Sequence, residues 1–435
     1  MCIIKIEKGG NLMEYKENEI KQGIKLHTIN NNKFKTNLIA VFLTTELNRE
    51  NVTKNALISS VLRRGSKNMP SQEEISKQME SMYGADFDCG LDKTGDNQVL
   101  KFYIEVINDN FLPQKGEDML KTAIQKLLEI VFNPYIEKDS FKQQYIEQEK
   151  NNIKQKIEGK IDNKAKYALD RCIEEMYPDS PFGLYKFGYI EDLEGVNGKD
   201  LYSYYKELIN SCKIDIFVSG NIKEETEKIV EENENIQKLQ ERNPKYKIPT
   251  IEKKENKEKE NIVTESMEVT QGKLVLGLDV DIDEEERRYD TLIYNSILGG
   301  TANSKMFQNV REKAHLAYVA SSSYLRYKNN IFINCGIEIA NYEKALELIE
   351  EQIEDMKKGE FTQEDIENAK KGIIATIKTI DDEQDTEINY YFGQELTQSK
   401  VSLEEYKNKI DSVGKEEIIA IANKVRVDTV YFLKD

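Results

Sequence analysis

Residues 298–318 read LGGTANSKMFQNVREKAHLAY. The stretch begins with Gly299 and Gly300, continues with apolar residues at helical spacing, and ends in a run typical of the start of a strand. The glycine pair predicts a tight turn that ends one helix and leads into the next. Arg311 and Tyr318 carry donors that suit peptide carbonyl oxygens whatever the side chains of the peptide. The stretch therefore indicates a site that holds a peptide backbone.

The same residues also allow a purely structural interpretation. Arg311 would then form a surface ion pair with the neighbouring Glu312, and Tyr318 would pack against the protein. Since surface ion pairs and partly packed tyrosines are common in proteins, composition and spacing leave this alternative open.

The two halves of the chain present the same order of elements. The matching segments are strands at 37–43 and 273–279, helices at 56–62 and 291–298, strands at 99–107 and 331–339, helix pairs at 117–131 with 141–157 and at 342–357 with 362–379, and closing strands at 214–219 and 427–432. Clustered strands separated by runs of helices predict an α+β fold, with an antiparallel sheet covered by helices in each half. We expect two homologous domains, 13–221 and 262–435, joined by a charged linker at 222–261.

Composition excludes several classes of protein. The 435 residues exceed what one core usually serves, which favours two large domains. With 39% hydrophobic and 32% charged residues and a mean hydropathy of -0.65, the chain has no apolar run long enough to span a membrane. Its formal charge of -17 repels phosphate backbones. We therefore expect neither nucleic acid nor a membrane as a partner.

The cysteines and the first residues predict a location. Five cysteines, an odd number without a CxxC pair, favour a reducing compartment, and the first residues lack the features of a signal peptide. We therefore expect a cytoplasmic protein. Lys8, Gly9 and Gly10 can be encoded by a purine-rich run like a bacterial ribosome-binding site, which favours a bacterial protein translated from Met13.

Motifs for metal-dependent or nucleophilic catalysis are absent from the sequence. The two histidines, His27 and His315, form no HxxEH or HxxxH pattern. No Gly-x-Ser-x-Gly element is present, and paired carboxylates such as Asp381 and Asp382 are more typical of solvated faces in so acidic a chain. We therefore assign no catalytic residue, no metal and no cofactor.

The opening stretch and the duplicated halves resemble the insulinase and mitochondrial processing peptidase family, the pitrilysin-type zinc peptidases. Active members carry HxxEH on a helix shortly before a Gly-Thr pair, and the matching point here is Gly65 followed by Ser66. By this resemblance, Ala56, Ser59 and Ser60 stand where the family has its first histidine, its catalytic glutamate and its second histidine.

The third zinc ligand of the family is a glutamate in a later helix. The resemblance matches it to Lys156 or, in a register shifted by one, to Gln155. Alanine has no lone pair to donate, serine is a poor ligand and base at neutral pH, and a lysine repels a cation. The resemblance thus implies a degenerate zinc site that binds no metal.

The resemblance also implies a function. In heterodimeric members the subunit without HxxEH retains the arginine and tyrosine, which grip substrate opposite the partner's zinc. By this resemblance Arg311 and Tyr318 bind peptide substrate, and Gly299 and Gly300 shape the turn before them. The nearest subtype is the pseudo-peptidase described as elongation factor P 5-aminopentanol modification-associated. We expect an inactive subunit that pairs with an HxxEH-bearing homologue; a non-enzymatic scaffold or chaperone in a protein-modification pathway is the alternative.

Overall fold

The chain forms two compact units, each built from three separate stretches of sequence. The computed structural model describes residues 2–8, 11–113, 116–250, 259–282, 284–285 and 287–435. Unit 1 comprises Met1–Glu158, Leu184–Ile248 and Asp381–Glu395, and unit 2 comprises Gly159–Gly183, Pro249–Ile380 and Leu396–Asp435.

The described residues contain strands in both units. They are β1 (Cys2–Lys8), β2 (Asn11–Lys21), β3 (Ile24–Asn30), β4 (Thr36–Glu46), β5 (Asp86–Thr94), β6 (Asn97–Ile107), β7 (Ile136–Glu137), β8 (Ser140–Phe141), β9 (Lys213–Gly220), β10 (Asn261–Ser266), β11 (Gly272–Val280), β12 (Ala317–Leu325), β13 (Asn330–Ile337) and β14 (Val425–Lys434).

Helices connect and cover these strands. They are α1 (Val52–Leu62), α2 (Gln72–Ser81), α3 (Met119–Phe132), α4 (Gln143–Glu158), α5 (Lys164–Met176), α6 (Ile190–Leu193), α7 (Gly198–Ser211), α8 (Thr226–Glu231), α9 (Glu234–Lys238), α10 (Arg287–Asn295), α11 (Tyr342–Lys358), α12 (Gln363–Thr379), α13 (Gln384–Leu396), α14 (Leu403–Ser412) and α15 (Lys415–Ala422). Two wider, π-helical segments follow α10, at Ser296–Gly300 and Met306–Lys313. Among the described residues, none of the helices combines the length and the apolar character needed to cross a membrane.

The sheets of the two units share one strand order. The large sheet of unit 1 runs β1-β2-β3-β9-β4-β6-β5, and that of unit 2 runs β10-β14-β11-β13-β12. In each sheet a single pair is parallel, β3 with β9 and β10 with β14, while the other pairs are antiparallel. The five strands of unit 2 thus repeat the order of β3-β9-β4-β6-β5. The predicted α+β fold with two homologous domains is confirmed.

Strand alternation places the hydrophobic core of unit 1 on one face of its sheet. Ile39, Val41 and Leu43 of β4 are buried together with Leu100 and other apolar residues of β6, in one cluster with side chains of α1, α3 and α7. Because successive residues of a strand point to opposite faces, the intervening residues face the other way. That second face is covered in part by α13, through aromatic and charged residues.

Local signals set the connection between α11 and α12. α11 ends at Gly359, whose φ of 73° lies in the left-handed region that glycine adopts without strain. α12 begins after Thr362, whose hydroxyl accepts from the Asp365 amide while the Asp365 carboxylate accepts from the Thr362 amide. The predicted helix pair of the second half therefore has a well-defined turn.

The compact units differ from the predicted domain limits. β1 and the start of β2 precede residue 13 and belong to the sheet of unit 1. α8 and α9 fall in the predicted linker but pack on α3, because Val230 and Ile236 are apolar and fully buried. The segment is therefore part of unit 1 up to Ile248.

The two units also exchange helices along the sequence. α5 comes from the first half of the chain but packs on the sheet of unit 2, where Cys172 and Met176 join the buried side chains of Val275, Phe332 and Tyr431. α13 comes from the second half and packs on the sheet of unit 1. Contiguous limits such as 13–221 and 262–435 therefore do not describe the compact units.

Candidate functional site

Gly299 and Gly300 end the first π-helical segment at a point of close packing. A Cβ atom on Gly299 would lie 2.6 Å from Ser322 Oγ and 2.7 Å from Ser322 N on β12, and one on Gly300 would lie 3.2 Å from Asn295. Neither glycine has a positive φ. The helix ends at this pair, as the sequence predicts, but the reason is the close approach of β12 and not a left-handed turn.

Arg311 lies on the second π-helical segment with most of its donors available. Its Nε is 3.5 Å from Glu312 Oε1, and its guanidinium carbon is 4.5 Å from the centroid of the Phe307 ring. The side chain is 39% exposed. Within the described part of the chain, its terminal nitrogens have no hydrogen-bond partner. The ion pair of the structural interpretation is thus present, yet long and partly solvated, a geometry that contributes little to stability.

Tyr318 lies on β12, the edge strand of the unit 2 sheet. Its side chain is 76% exposed, and the pairing of β12 with β13 shifts register between Ala317 and Val319. Such a bulge breaks the alternation of faces, which explains why Tyr318 and Val319 are both exposed. The expectation that Tyr318 packs against the protein is wrong for the side chain as the structure places it.

A chain reversal brings the segments of Arg311 and Tyr318 together. The Leu316 amide donates to the Val310 carbonyl at 3.1 Å, and His315 between them has a φ of 53°. The π-helical segment therefore packs against the start of β12. Arg311 and Tyr318 flank this turn beside the outer edge of β12, which pairs with no other strand among the described residues, and both side chains carry hydrogen-bond donors.

The positions matched to the zinc-binding helix lie on α1 and are buried. Ala56, Ser59 and Ser60 are 1%, 4% and 8% exposed. Ser59 Oγ donates to the Gly90 carbonyl of β5 at 3.2 Å, so its hydroxyl has a structural partner. α1 presents an apolar side chain and two neutral hydroxyls where a metal would need imidazole and carboxylate ligands.

Two cations, Arg63 and Lys156, and two carboxylates, Asp88 and Glu149, act on Cys89 beside these positions. Lys156 is exposed on α4, which packs on α1, and its ammonium is 5.2 Å from the centroid of the Phe187 ring. Burial raises the pKa of the nearby Cys89 thiol, and the charges of Arg63 and Lys156 oppose that rise. Two cations beside a protonated thiol do not fit a divalent metal, so we derive no chemistry through zinc at this place.

A buried charge cluster in unit 1 escaped the sequence analysis. His27 Nδ1 is 2.8 Å from the Tyr15 hydroxyl, and His27 Nε2 is 3.0 Å from Asp215 Oδ1. Lys213 pairs with Asp215 and, at 3.0 Å, with Glu395 of α13. Burial alone would raise the pKa of Asp215, but the charge of Lys213, together with the hydrogen bonds of His27 and Lys213 and the charge of His27, holds the pKa below its usual value.

This cluster includes the one group of possible metal ligands among the described residues. Glu17, His27 and Glu395 have ligand atoms within 4.8 Å of one another. However, both ring nitrogens of His27 are already hydrogen-bonded, and the ammonium groups of Lys25 and Lys213 are bound to Glu395. The cluster therefore fits a structural network that holds α13, since cations occupy the place of a metal.

A duplicated α+β fold, with alanine, serine and lysine at the positions that the resemblance matches to zinc ligands and base, defines a peptidase-like protein. The chain belongs to the M16 peptidase family. A family model described as "Peptidase M16 inactive domain" matches residues 195–373. The "probable inactive metalloprotease YmfF" of Bacillus subtilis is 33% identical over 424 residues, which cover 96% of this chain and 98% of that protein. The family predicted from the sequence is confirmed.

Further relatives agree in fold. The "uncharacterized zinc protease YmxG" of Bacillus subtilis is 26% identical over 295 residues, 66% of this chain and 69% of that protein. A crystal structure of a conserved protein from Enterococcus faecalis superposes with a TM-score of 0.88 at 28% identity, covering 97% of this chain and 98% of that one. A peptidase M16 inactive domain from Pseudomonas fluorescens superposes with a TM-score of 0.78 at 18% identity, with the same coverage.

Proposed function

We propose that this protein is a non-catalytic peptidase-like subunit that binds extended peptides and works with a zinc-binding homologue. The observation that carries the proposal is the exposure of Tyr318 on an open strand edge, next to the turn that leads from Arg311. The phenol is exposed, and the guanidinium keeps its terminal nitrogens unpaired beside its contacts with Phe307 and Glu312. Both are suited to peptide carbonyl oxygens.

Peptide binding at this edge combines two kinds of contact. An extended peptide placed beside β12 pairs its backbone with the free groups of the strand, as in other cases of strand addition. Arg311 and Tyr318 then donate to carbonyl oxygens near the start of the strand. This recognition depends on the backbone, so a broad range of peptide sequences is accepted.

The chemistry of hydrolysis belongs to a different chain in this proposal. The α1 positions Ala56, Ser59 and Ser60 offer neither a ligand set nor a base, and Lys156 adds a positive charge nearby. The presence of a relative named a zinc protease beside the inactive relative in Bacillus subtilis supports a division of labour between two homologous chains. The partner supplies metal, base and water, while this subunit holds substrate.

Peptide hydrolysis by a mixture with an HxxEH-bearing homologue from the same organism tests the proposal. We expect the chain alone to hold no stoichiometric zinc and to cleave nothing, and the mixture to cleave. Arg311→Ala should weaken peptide binding about 10- to 150-fold, the loss of a charge-assisted hydrogen bond of about 1.5–3 kcal/mol. Tyr318→Phe should weaken it by roughly 2- to 10-fold, because one neutral hydrogen bond is lost.

Lys313→Ala is the matched control. Lys313 is an exposed cation on the same π-helical segment, bound to Asn309 at 2.9 Å, and its loss should leave cleavage unchanged. One tightly held zinc per chain would refute the degenerate site. Partner activity that is indifferent to this protein, or to both Arg311→Ala and Tyr318→Phe, would favour the non-enzymatic scaffold instead.

A further inference from the structure

A second group of cationic and phenolic side chains lies at the far end of β12. Arg288 is the second residue of α10. Tyr324 lies at the end of β12, and Arg326 and Tyr327 lie in the turn to β13. Tyr406 of α14 approaches Arg326 from the helical layer, close enough for the guanidinium charge to act on its pKa. We name these five residues the Arg288 cluster; all of them belong to unit 2.

Arg288 is a buried cation with two unused donors. Its side chain is 8% exposed, and its Nη1 is 2.5 Å from Glu285 Oε2. Its Nε and Nη2 are shielded from solvent and have no hydrogen-bond partner among the described residues. These two nitrogens form one edge of the guanidinium fork, the edge that binds carboxylate or phosphate oxygens in pairs.

The second arginine makes this arrangement costly without an anion. Burial lowers the pKa of Arg288, and the charge of Arg326 lowers it further against the opposing effect of Glu285. Burial raises the pKa of the Tyr324 hydroxyl, and both arginine charges oppose that rise; this partly buried hydroxyl donates to Asn329 Oδ1 at 2.8 Å. Glu285 pairs with one nitrogen of the buried Arg288 guanidinium, but the two unbonded nitrogens and the added charge of Arg326 favour a further anion at this place.

We propose that Arg288 and Arg326 together bind an oxyanion group, of the phosphate or carboxylate class, carried by a small ligand. The Nε and Nη2 edge of Arg288 takes two of its oxygens, and Arg326 neutralises it from the solvent side. Arg326 and Tyr327 are partly exposed, so a rotamer change of these side chains gives access from the turn. The chain as a whole has a formal charge of -17 and repels anions, so a local pair of arginines that attracts them is unusual for this protein.

The site is separate from the peptide edge. Tyr318 and Arg326 are eight residues apart along an extended strand, roughly 26 Å at the usual rise per residue. Tyr324 lies two residues along β12 from Ser322, which contacts Gly299 and Asn295, so it faces the helices. The anion therefore binds on the helical side of unit 2, and peptide binding can fail while this site is intact.

Thermal unfolding of the full chain in inorganic phosphate, acetate and chloride at matched ionic strength tests the proposal. Phosphate should raise the unfolding temperature of the wild type above that in chloride. Calorimetry should show that Arg326→Gln weakens phosphate binding about tenfold or more, as expected for a lost charge-assisted contact. Stabilisation by acetate as well as by phosphate would identify carboxylates as ligands; stabilisation by phosphate alone would identify a phosphate group.

Arg288→Gln separates a binding role from a structural one. If the site serves an anion, this variant loses the phosphate effect yet unfolds in chloride at the wild-type temperature or higher, because a buried charge is removed. Arg426→Gln, on β14 of the same unit, should keep the full phosphate effect. Three results would overturn the proposal: no effect of phosphate on the wild type, an effect that survives both Arg288→Gln and Arg326→Gln, or an Arg288→Gln protein that is less stable in chloride.

Discussion

Glu387 of α13 gives a prediction about pH that can be worked through in full. Its carboxylate is buried, accepts from Ser219 Oγ at 3.1 Å and from Asn31 Nδ2 at 3.4 Å, and has no cation bound to it among the described residues. Burial raises the pKa of Glu387 from 4.5 to about 7, and the charge of Asp381 adds to the effect. The folded protein therefore keeps a proton that the unfolded chain has already lost.

The sign and size of the effect follow from this difference. Because the pKa of Glu387 is higher in the folded state, the protonated side chain contributes its full stability below pH 4.5, and this stability is lost as the pH rises through about 7. At about 1.4 kcal/mol for each pKa unit, ionised Glu387 destabilises unit 1 by roughly 3 kcal/mol. Glu387→Gln removes the ionisation and keeps the shape, since its amide can still face Ser219 and Asn31.

The assay is urea unfolding followed by circular dichroism at several pH values, for wild type and Glu387→Gln. We expect the variant to match the wild type at mildly acidic pH and to exceed it by up to about 3 kcal/mol above neutrality. Glu383→Gln, an exposed neighbour on the same segment, should show no such pH dependence. A difference between wild type and Glu387→Gln that is constant with pH, or a variant less stable at alkaline pH, would refute the reasoning.

Two further substitutions test packing and charge. Gly299→Ala should destabilise unit 2 by about 1–3 kcal/mol, because its Cβ would overlap Ser322. Gly372→Ala, in α12 with open space around it, should instead stabilise the protein by up to about 1 kcal/mol, and thermal unfolding measures both effects. Lys213→Met should cost about 3–5 kcal/mol, because it leaves the buried Asp215 without its cation, as urea unfolding at neutral pH will show.

Controls for these substitutions come from the same chain. Lys77→Met removes a solvent-exposed pair with Glu73 on α2 and should change stability by less than about 1 kcal/mol. Equal losses for Lys213→Met and Lys77→Met would show that burial does not govern the value of these pairs. An unchanged stability of Gly299→Ala would show that β12 moves aside at little cost in free energy.

Much of the fold was predictable because it follows from local periodicity. The predicted strand 37–43 lies within β4, and the predicted helix 342–357 corresponds to α11. Alternation of apolar residues and a glycine at the end of a helix are properties of a few neighbouring residues, so a single sequence reveals them. The duplication was visible for the same reason, since two runs of such signals occur in one order.

The partners of amphipathic helices were not predictable. An apolar face on α5 or α13 shows that the helix is buried, but not on which sheet. The cluster of His27, Asp215 and Lys213 needs residues far apart in sequence to meet, and isolated charged residues give no sign of that. The sequence likewise did not show why a glycine is needed at position 299, because the close approach of Ser322 is a tertiary contact.

The helix exchange has a consequence for how the protein is made and cut. A ribosome that has released residues 1–248 has not yet made Asp381–Glu395, so the charged sheet face of unit 1 is covered only during the last eighth of synthesis. A single cleavage between residues 249 and 261 would likewise yield fragments that each hold part of both units. The two halves therefore mature together, and neither can be expressed as an independent protein without losing a helix of its own fold.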